Sequence, residues 1–328
     1  MVVKLSVLDL AVVSDGSSSA DALVATTRLA QRADELGYHR FWVAEHHNMA
    51  LVASTAPAVL IAHLAASTTR IKLGSGGVML PNHPPLVVAE QFAMLEALHP
   101  GRIDLGVGRA PGTDPATAAA LRRSPDALGA EDFPRDLLDL MGLLGDRRIE
   151  HGAWTRFRAT PVATSQPDIV LLGSSGYSAQ VAGQLGLAFA FAHHFDVPGT
   201  LEAIAWYRDS FRPSAVLDEP YTIVTASVLA GDDAEDADYL AGPARLAVLA
   251  IRTGRPAALL SPDKAANHPD LAVARAMPSN RIIGTGDEVV GALRDLATRT
   301  EADELMLSTM AYGVEDRIKT LELVSAGW

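Results

Sequence analysis

The chain has 328 residues, of which 48% are hydrophobic and 20% charged, so it can bury a large globular core. A formal net charge of −12 argues against partners that need an extended basic surface, such as nucleic acids or anionic membranes. The sequence contains no cysteine, which excludes disulfides, thiolate nucleophiles and thiolate-bound zinc.

The apolar N-terminal stretch is interrupted by Lys4 and Asp9, which favours a β-strand over a signal peptide. No window of the sequence approaches membrane-spanning length without a charge. We therefore expect a cytoplasmic protein.

In the first half of the chain, short apolar or β-branched runs alternate with segments of helical periodicity. The helix predicted over residues 21–36 places Leu29, Ala33 and Leu36 on one face and ends at Gly37. Strands are predicted at residues 5–9, 41–45, 71–75 and 102–107, and further helices at residues 55–67 and 84–98.

The second half is less regular. Residues 110–130 are rich in Pro, Gly, Asp and Ala and predict one short helix, at 116–123. Residues 254–283 contain four prolines and little periodicity, which is typical of a mobile lid. The remaining predicted strands are residues 168–172, 188–192, 221–229 and 305–308, and the remaining helices are 132–144, 177–185, 201–212, 232–251, 288–298 and 314–325.

Eight strand–helix alternations predict an α/β fold in which helices cover a parallel sheet. Eight repeats favour closure into a (β/α)8 TIM barrel over an open, doubly wound sheet. We predict a single domain over residues 1–328, with insertions after strands 4 and 7.

In such barrels the active site lies at the carboxyl ends of the strands, and histidines follow two of the predicted strands. Glu45, His46 and His47 follow strand two, and His193 and His194 follow strand six. Because neighbouring side chains point to opposite faces, we expect one histidine of each pair in the barrel mouth, where an imidazole suits proton transfer. Packed structural histidines are the alternative interpretation. We expect no metal, since neither helical spacing nor a third ligand accompanies the pair.

Glycines follow strand three. Gly74, Gly76 and Gly77 would let the backbone approach a flat ligand, although a tight turn alone explains them as well. Met79 occupies the third glycine position of a dinucleotide-binding fingerprint, which excludes a Rossmann site here.

Two further stretches predict an anion site. Arg109 follows Gly108 at the end of strand four, and a guanidinium there can hold a phosphate through two parallel hydrogen bonds. Gly173, Ser174 and Ser175 lead from strand five into a helix, whose first N–H groups can bind an anion. A surface ion pair for Arg109 and a plain helix cap for the serines are the alternatives.

Taken together, these segments resemble the luciferase-like, flavin-dependent monooxygenase family. Residues 41–47 (FWVAEHH) are similar to the strand-two signature of that family, and residues 73–81 and 101–109 are similar to its third and fourth strand motifs. Residues 77–83 (GVMLPNH) and the Ala-rich composition resemble the actinomycete natural-product tailoring oxygenases, of the mensacarcin-pathway type.

The resemblance implies a luciferase-like TIM barrel whose mouth binds reduced FMN as a dissociable co-substrate. It assigns His46 to the reaction centre. Our own hypothesis is that His46 handles protons there and that Glu45 orients it. It also places a non-proline cis peptide bond at Ser75–Gly76, beside the flavin ring. The implied cofactor-binding residues are Gly74, Ser75, Gly76, Gly108, Arg109, Gly173, Ser174 and Ser175. In luciferases a reactive cysteine stands at the position of Gly108, so thiol chemistry near the flavin is not expected.

The implied function is that of a two-component monooxygenase, which uses reduced FMN and O₂ to hydroxylate or epoxidise an organic substrate such as an aromatic polyketide. Baeyer–Villiger insertion is a further possible outcome of the same chemistry. A separate NAD(P)H flavin reductase and a second copy of the chain, forming a homodimer, are the implied partners. The main alternative is an F420-dependent dehydrogenase or reductase of the same fold. A catalytically silent flavin-binding protein and a metal-dependent barrel hydrolase are further alternatives.

Overall fold

A computed structural model describes residues 3–122, 132–146, 148 and 150–328. The strands are β1 (Lys4–Asp9), β2 (Arg40–Val43), β3 (Lys72–Met79), β4 (Ile103–Gly108), β5 (Asp168–Gly173), β6 (Ala188–Phe191), β7 (Thr222–Gly231), β8 (Ile282–Thr285) and β9 (Glu304–Ser308). The α-helices are α1 (Ser19–Glu35), α2 (Pro57–Ser67), α3 (Pro85–Leu98), α4 (Pro115–Arg122), α5 (Phe133–Leu143), α6 (Gly176–Gln184), α7 (Thr200–Ser210), α8 (Ala234–Arg252), α9 (Pro262–Ala266), α10 (Leu271–Ala276), α11 (Gly286–Thr300) and α12 (Val314–Gly327). Within the described ranges, none of these helices is long and apolar enough to cross a lipid bilayer.

Eight of the nine strands in the described part of the chain close into a ring, and each pairs in parallel with both neighbours. The ring follows chain order from β1 to β7, and β9 then closes it between β7 and β1. Helices lie between successive strands and cover the outside of the ring. The predicted (β/α)8 barrel is confirmed.

Strand β8 lies outside this ring. Ile282 and Ile283 pair with Val228 and Leu229, in the part of β7 that extends beyond its pairing with β9. The sequence pattern predicts no strand here, because four residues, three of them partly exposed, carry little periodic signal. The predicted strand at residues 305–308 is β9, which closes the barrel as expected.

The insertions fall after β4 and β7, as predicted. After β4 the chain forms α4 and α5 before β5 begins, and residues 123–131 lie outside the described ranges. After β7, residues 254–283 contain α9, α10 and the start of β8, where the sequence predicts little regular structure. Ala265, Leu271 and Ala274 form an apolar cluster with Leu246 of α8, so this segment is folded onto α8. Its role as a mobile lid stays a prediction.

Paired charges fill the barrel interior near the amino ends of the strands. Arg40 Nη1 lies 2.9 Å from Asp104 Oδ2, and Arg40 Nε lies 2.9 Å from Glu304 Oε1. Trp42 Nε1 also donates to Asp104, at 2.9 Å, and the Tyr221 hydroxyl donates to Glu304, at 2.8 Å. We name Arg40, Asp104 and Glu304 the base cluster. All three side chains are at most 7% exposed.

The two carboxylates of the base cluster stabilise the charge of Arg40. Burial alone would lower the pKa of Arg40, but the Asp104 and Glu304 carboxylates outweigh burial and raise that pKa above its usual value. Lys72 Nζ also lies 3.2 Å from Asp104 Oδ1, so two cations stand against the two carboxylates of the base cluster.

Candidate active site

The candidate residues lie at the opposite end, where the strands finish. Glu45 to His47 follow β2, Arg109 follows β4, and Ser174 and Ser175 follow β5. The parallel ring brings the carboxyl ends of these strands to one rim. The predicted clusters therefore share one end of the barrel.

The Glu45 carboxylate connects several residues of this rim. Its Oε1 accepts hydrogen bonds from His47 Nε2 at 2.9 Å and from His83 Nε2 at 2.8 Å, and its Oε2 accepts the Met79 N–H at 3.0 Å. Burial would raise the pKa of Glu45, but the hydrogen bonds from His83 and His47 outweigh it and lower that pKa below its usual range. Glu45 is thus an anion that holds two imidazole rings in place.

The prediction that Glu45 orients His46 is wrong, because the Glu45 carboxylate is hydrogen-bonded to His47 and His83 instead. Glu45 contacts His47, two residues along the chain, whereas the ring of His46 has a different partner. His46 Nδ1 instead lies 2.9 Å from the carbonyl oxygen of Gly112, in the loop after β4. A carbonyl only accepts, so Nδ1 carries the proton. The neutral ring therefore has its lone pair on Nε2, where it can accept a proton.

His83 is a functional candidate that the sequence did not single out. It follows β3, the neighbour of β2, and its contact with Glu45 spans 38 residues of sequence. Adjacent parallel strands bring together the residues that follow them. A polar side chain after β3 could therefore have been predicted to lie near the residues that follow β2. Asn82, beside it, donates to the Pro111 carbonyl at 2.9 Å and links the β3 loop to the β4 loop.

The ligand atoms of Glu45, His47 and His83 lie within 4.8 Å of one another, so His83 supplies the third group that the sequence lacked near the histidine pair. Both imidazoles are at hydrogen-bonding distance from the same carboxylate oxygen. These hydrogen bonds account for the arrangement without a metal ion. The expectation of no metal site stays a prediction.

Arg109 and the two serines converge at the start of α6. Val107 pairs with Leu171, so Arg109 and Gly173 end adjacent strands at the same level. The Arg109 guanidinium lies 4.5 Å from the ring centroid of Tyr177, in the first turn of α6. Ser175 is the N-cap residue, but no side chain caps the helix.

This convergence can bind an anion. The first N–H groups of α6 are uncapped by any side chain, and the helix dipole adds positive potential there. Within the described ranges, the Arg109 guanidinium makes no ion pair, and neither Ser174 nor Ser175 donates a hydrogen bond from its hydroxyl. A phosphate is the group that such donors suit best.

The glycines of β3 are required by the packing of the barrel itself. A Cβ on Gly74 would lie 2.6 Å from Trp42 Nε1, and one on Gly76 would lie 2.7 Å from Leu8 Cδ1. A Cβ on Gly108 would meet Met79 Sδ at 3.0 Å. Contact between these glycines and a flavin stays a prediction.

The non-proline cis peptide bond is Gly76–Gly77, and its prediction at Ser75–Gly76 is wrong by one residue. A Cβ on Gly77 would lie 2.9 Å from the Gly106 carbonyl oxygen, so neither residue of this bond has room for a side chain. Ser75 does have room: its buried hydroxyl donates to the Gly106 carbonyl at 2.8 Å.

His194, after β6, is held uncharged at the same rim. Burial, and after it the positive charge of Arg281, lowers the pKa of His194 to about 3. His46 contributes to the same shift, so both residues lie within electrostatic reach of His194. Its Nδ1 is buried and has no hydrogen-bond partner in the described ranges. Of the predicted second pair, His194 is the member whose pKa is affected by His46.

Comparisons with known proteins give consistent matches. A family model described as luciferase-like monooxygenase matches residues 3–316. The uncharacterized protein YvbT of Bacillus subtilis (strain 168) is 44% identical over 328 residues, covering 99% of this chain and 96% of its own. The N-acetyl-S-alkylcysteine monooxygenase of the same bacterium is 44% identical over 215 residues, 64% of this chain and 62% of its own. The crystal structure of apo-MsnO8 aligns with a TM-score of 0.89 at 34% identity, covering 99% of this chain and 98% of that chain.

Proposed function

The chain belongs to the luciferase-like monooxygenase family, and from this premise we propose that it uses reduced FMN and O₂ to hydroxylate or epoxidise an organic substrate. The family that the strand motifs predict is confirmed by the family model and by the similarity to MsnO8. In this proposal a separate NAD(P)H flavin reductase supplies reduced FMN, oxidised FMN dissociates after each turnover, and the protein acts as a homodimer.

The observation that supports FMN is the guanidinium placed over an uncapped helix start. Arg109 adds a full positive charge to the partial charge of the α6 N-terminus, and Ser174 and Ser175 add two hydroxyl donors. The 5′-phosphate of FMN is the dianion that this set of donors would hold. A flavin without that phosphate would lose these interactions.

The chain's own groups position the reactants and handle protons. When bound, reduced flavin supplies the electrons that activate O₂. His46 would accept or return a proton at Nε2, because the Gly112 carbonyl holds the Nδ1 proton. Glu45 fixes His47 and His83 beside it and so keeps the β2 and β3 loops in register. Glu45 and His83 act by positioning and His46 by proton transfer.

The alternative is an F420-dependent dehydrogenase of the same fold, which would pass a hydride and would not use O₂. Reduced FMN, reduced riboflavin and reduced F420 should each be titrated anaerobically into the protein and then mixed with O₂. We expect FMN to bind at least about tenfold more tightly than riboflavin, because hydrogen bonds to a charged group contribute about 1.5–3 kcal/mol each. We also expect the FMN complex to consume O₂. Preference for F420 without oxygen consumption would reject the proposal.

The products should then be examined with ¹⁸O₂. The N-acetyl-S-alkylcysteines on which the Bacillus subtilis relative acts are the first substrates to assay, alongside an aromatic polyketide. Incorporation of one labelled oxygen atom into the organic product is the expected outcome. Turnover without label in any product would contradict a monooxygenase.

A further inference from the structure

A cavity of about 220 Å³ opens at the rim between the turn after β6 and the residues that precede β8. Its lining includes Asp196, Arg245, Arg275 and Arg281. We name this cavity the arginine pocket. It is separate from the Arg109 site, which lies between β4 and β5.

Most charges around the arginine pocket are paired with each other. Arg245 and Arg275 share the Asp238 carboxylate, with the second pair at 2.5 Å. Asp196, which is 8% exposed, lies 3.5 Å from the guanidinium of Arg252. Counting Arg281, four guanidinium groups stand against two carboxylates, so the pocket carries a positive surplus.

Arg281 accounts for that surplus. It is largely buried, yet its guanidinium makes no hydrogen bond or ion pair with any residue that the structure describes. Burial lowers the pKa of Arg281, and Asp196 offsets the effect only in part. An arginine stays protonated in proteins, so a buried charge remains without a close counter-charge. Burying such a charge costs free energy unless a ligand supplies the counter-charge.

The arginine pocket lies beside the proposed reaction site. Ser227 is the last residue of β7 that pairs within the ring, and Arg281 directly precedes Ile282, which pairs with Val228. Arg281 therefore stands at the level where the barrel ends. His194 follows β6, the strand next to β7, and the charges of both Arg281 and His46 lower its pKa.

The size and walls of the pocket suit one end of a ligand. A volume of about 220 Å³ is below the roughly 300–1,000 Å³ of cavities that enclose a whole drug-sized molecule. Val248, Met277 and Pro278 contribute apolar surface between the guanidinium groups. The planar donor fork of arginine matches a carboxylate.

We infer that the arginine pocket binds a carboxylate group of the organic substrate, with Arg281 as the principal donor and Arg245 beside it. The inference rests on the proposed monooxygenase function and specifies its substrate class: an acid with an apolar body whose oxidisable part reaches the barrel mouth.

The test uses a fluorinated acid and its neutral analogue. 4-(4-Fluorophenyl)butanoate and the corresponding amide should be titrated by ¹⁹F NMR into the wild type, Arg281→Met, Arg281→Lys and Arg294→Met. Arg294 lies near Trp328 at the opposite end of the barrel and controls for the loss of one positive charge. We expect the wild type and Arg294→Met to bind the acid about tenfold or more tightly than the amide. Arg281→Met should lose this preference, and Arg281→Lys should keep part of it.

Equal binding of acid and amide by the wild type, or a preference that survives in Arg281→Met, would overturn the inference. Titration of reduced FMN and riboflavin into the same variants separates the sources of an anion. If Arg281→Met weakens FMN binding and leaves riboflavin binding unchanged, the pocket holds the cofactor phosphate and the inference is wrong. Selective acid binding without flavin binding would reject the proposed function alone, whereas flavin binding without acid preference would reject the inference alone.

Discussion

At the amino ends of the strands, Arg40 lies 2.9 Å from each of two buried carboxylates, whereas at the carboxyl ends Arg281 makes no ion pair with any described residue. The pKa of Arg40 is raised by its partners, and the pKa of Arg281 is lowered by burial. Both ends bury positive charge, but only one end compensates it. The difference separates charges that hold the barrel together from charges that are available to a ligand.

Glu45 shows that the mouth also contains compensated groups. Its two oxygens accept four hydrogen bonds, and two of the donors are imidazoles at the rim. Pairing at this end therefore positions residues, while Arg109, His46 Nε2 and Arg281 retain hydrogen-bonding capacity for reactants. Four predictions test this division between base and mouth.

Replacing the arginine at each end by methionine should give the largest contrast. Arg40→Met leaves Glu304 as a buried anion without its cation and leaves Asp104 with Lys72 alone, and we expect it to lower the free energy of unfolding by about 3–5 kcal/mol. Arg281→Met removes a charge that has no close partner and is itself costly to bury, so we expect no loss in the free energy of unfolding. Urea denaturation measures both. Comparable losses for the two variants would remove the distinction between the ends.

Arg109→Gln tests a mouth charge for ligand binding. We expect reduced FMN to bind more weakly by about 1.5–3 kcal/mol, roughly 10- to 150-fold, because a charged donor to the phosphate is lost. Riboflavin affinity should stay unchanged. Arg28→Gln, which removes an exposed pair with Glu315 on the outer helices, is the matched control. Anaerobic fluorescence quenching gives both affinities, and an equal loss for the two flavins would argue against phosphate binding.

Glu45→Gln tests how much the hydrogen-bonded Glu45 carboxylate stabilises the barrel mouth. An amide oxygen can replace Oε1 only partly, so we expect a loss of about 1–3 kcal/mol in unfolding free energy at pH 7. The pKa of Glu45 is lowered in the folded state, so its contribution is present above the unfolded pKa and is lost as the pH falls through the folded pKa. The thermal unfolding temperature of the wild type should therefore fall more steeply with decreasing pH than that of the variant. Parallel curves would contradict this role.

His194 should produce the smallest effect. Its folded pKa of about 3 lies below the usual 6.5, so the unfolded chain binds a proton that the native state rejects as the pH falls below 6.5. Between pH 6.5 and 5.5 we expect a loss of about 1 kcal/mol, which His194→Gln should abolish. His63, an exposed histidine of α2, supplies the control variant His63→Gln. An unchanged pH dependence in His194→Gln would show that this ring is charged in the native state.

The local order of residues along the chain was sufficient to predict much of the architecture. The eight barrel strands are apolar runs of four to ten residues whose periodicity is visible without partners. The positions of Arg109, Ser174 and Ser175 followed as well, because each lies within two residues of a strand end and the rim of a parallel barrel collects such residues. Strand β8 was missed because its only support is the extension of β7.

The choice of partners could not be read from local order. Glu45 meets His83 across 38 residues, His46 meets Gly112 across 66, and Arg40 meets Glu304 across 264. These contacts exist because the ring closes between β9 and β1 and because each rim loop folds against its neighbour. A sequence shows which groups stand at a strand end, but barrel closure determines which of them compensate one another and which remain available to a ligand.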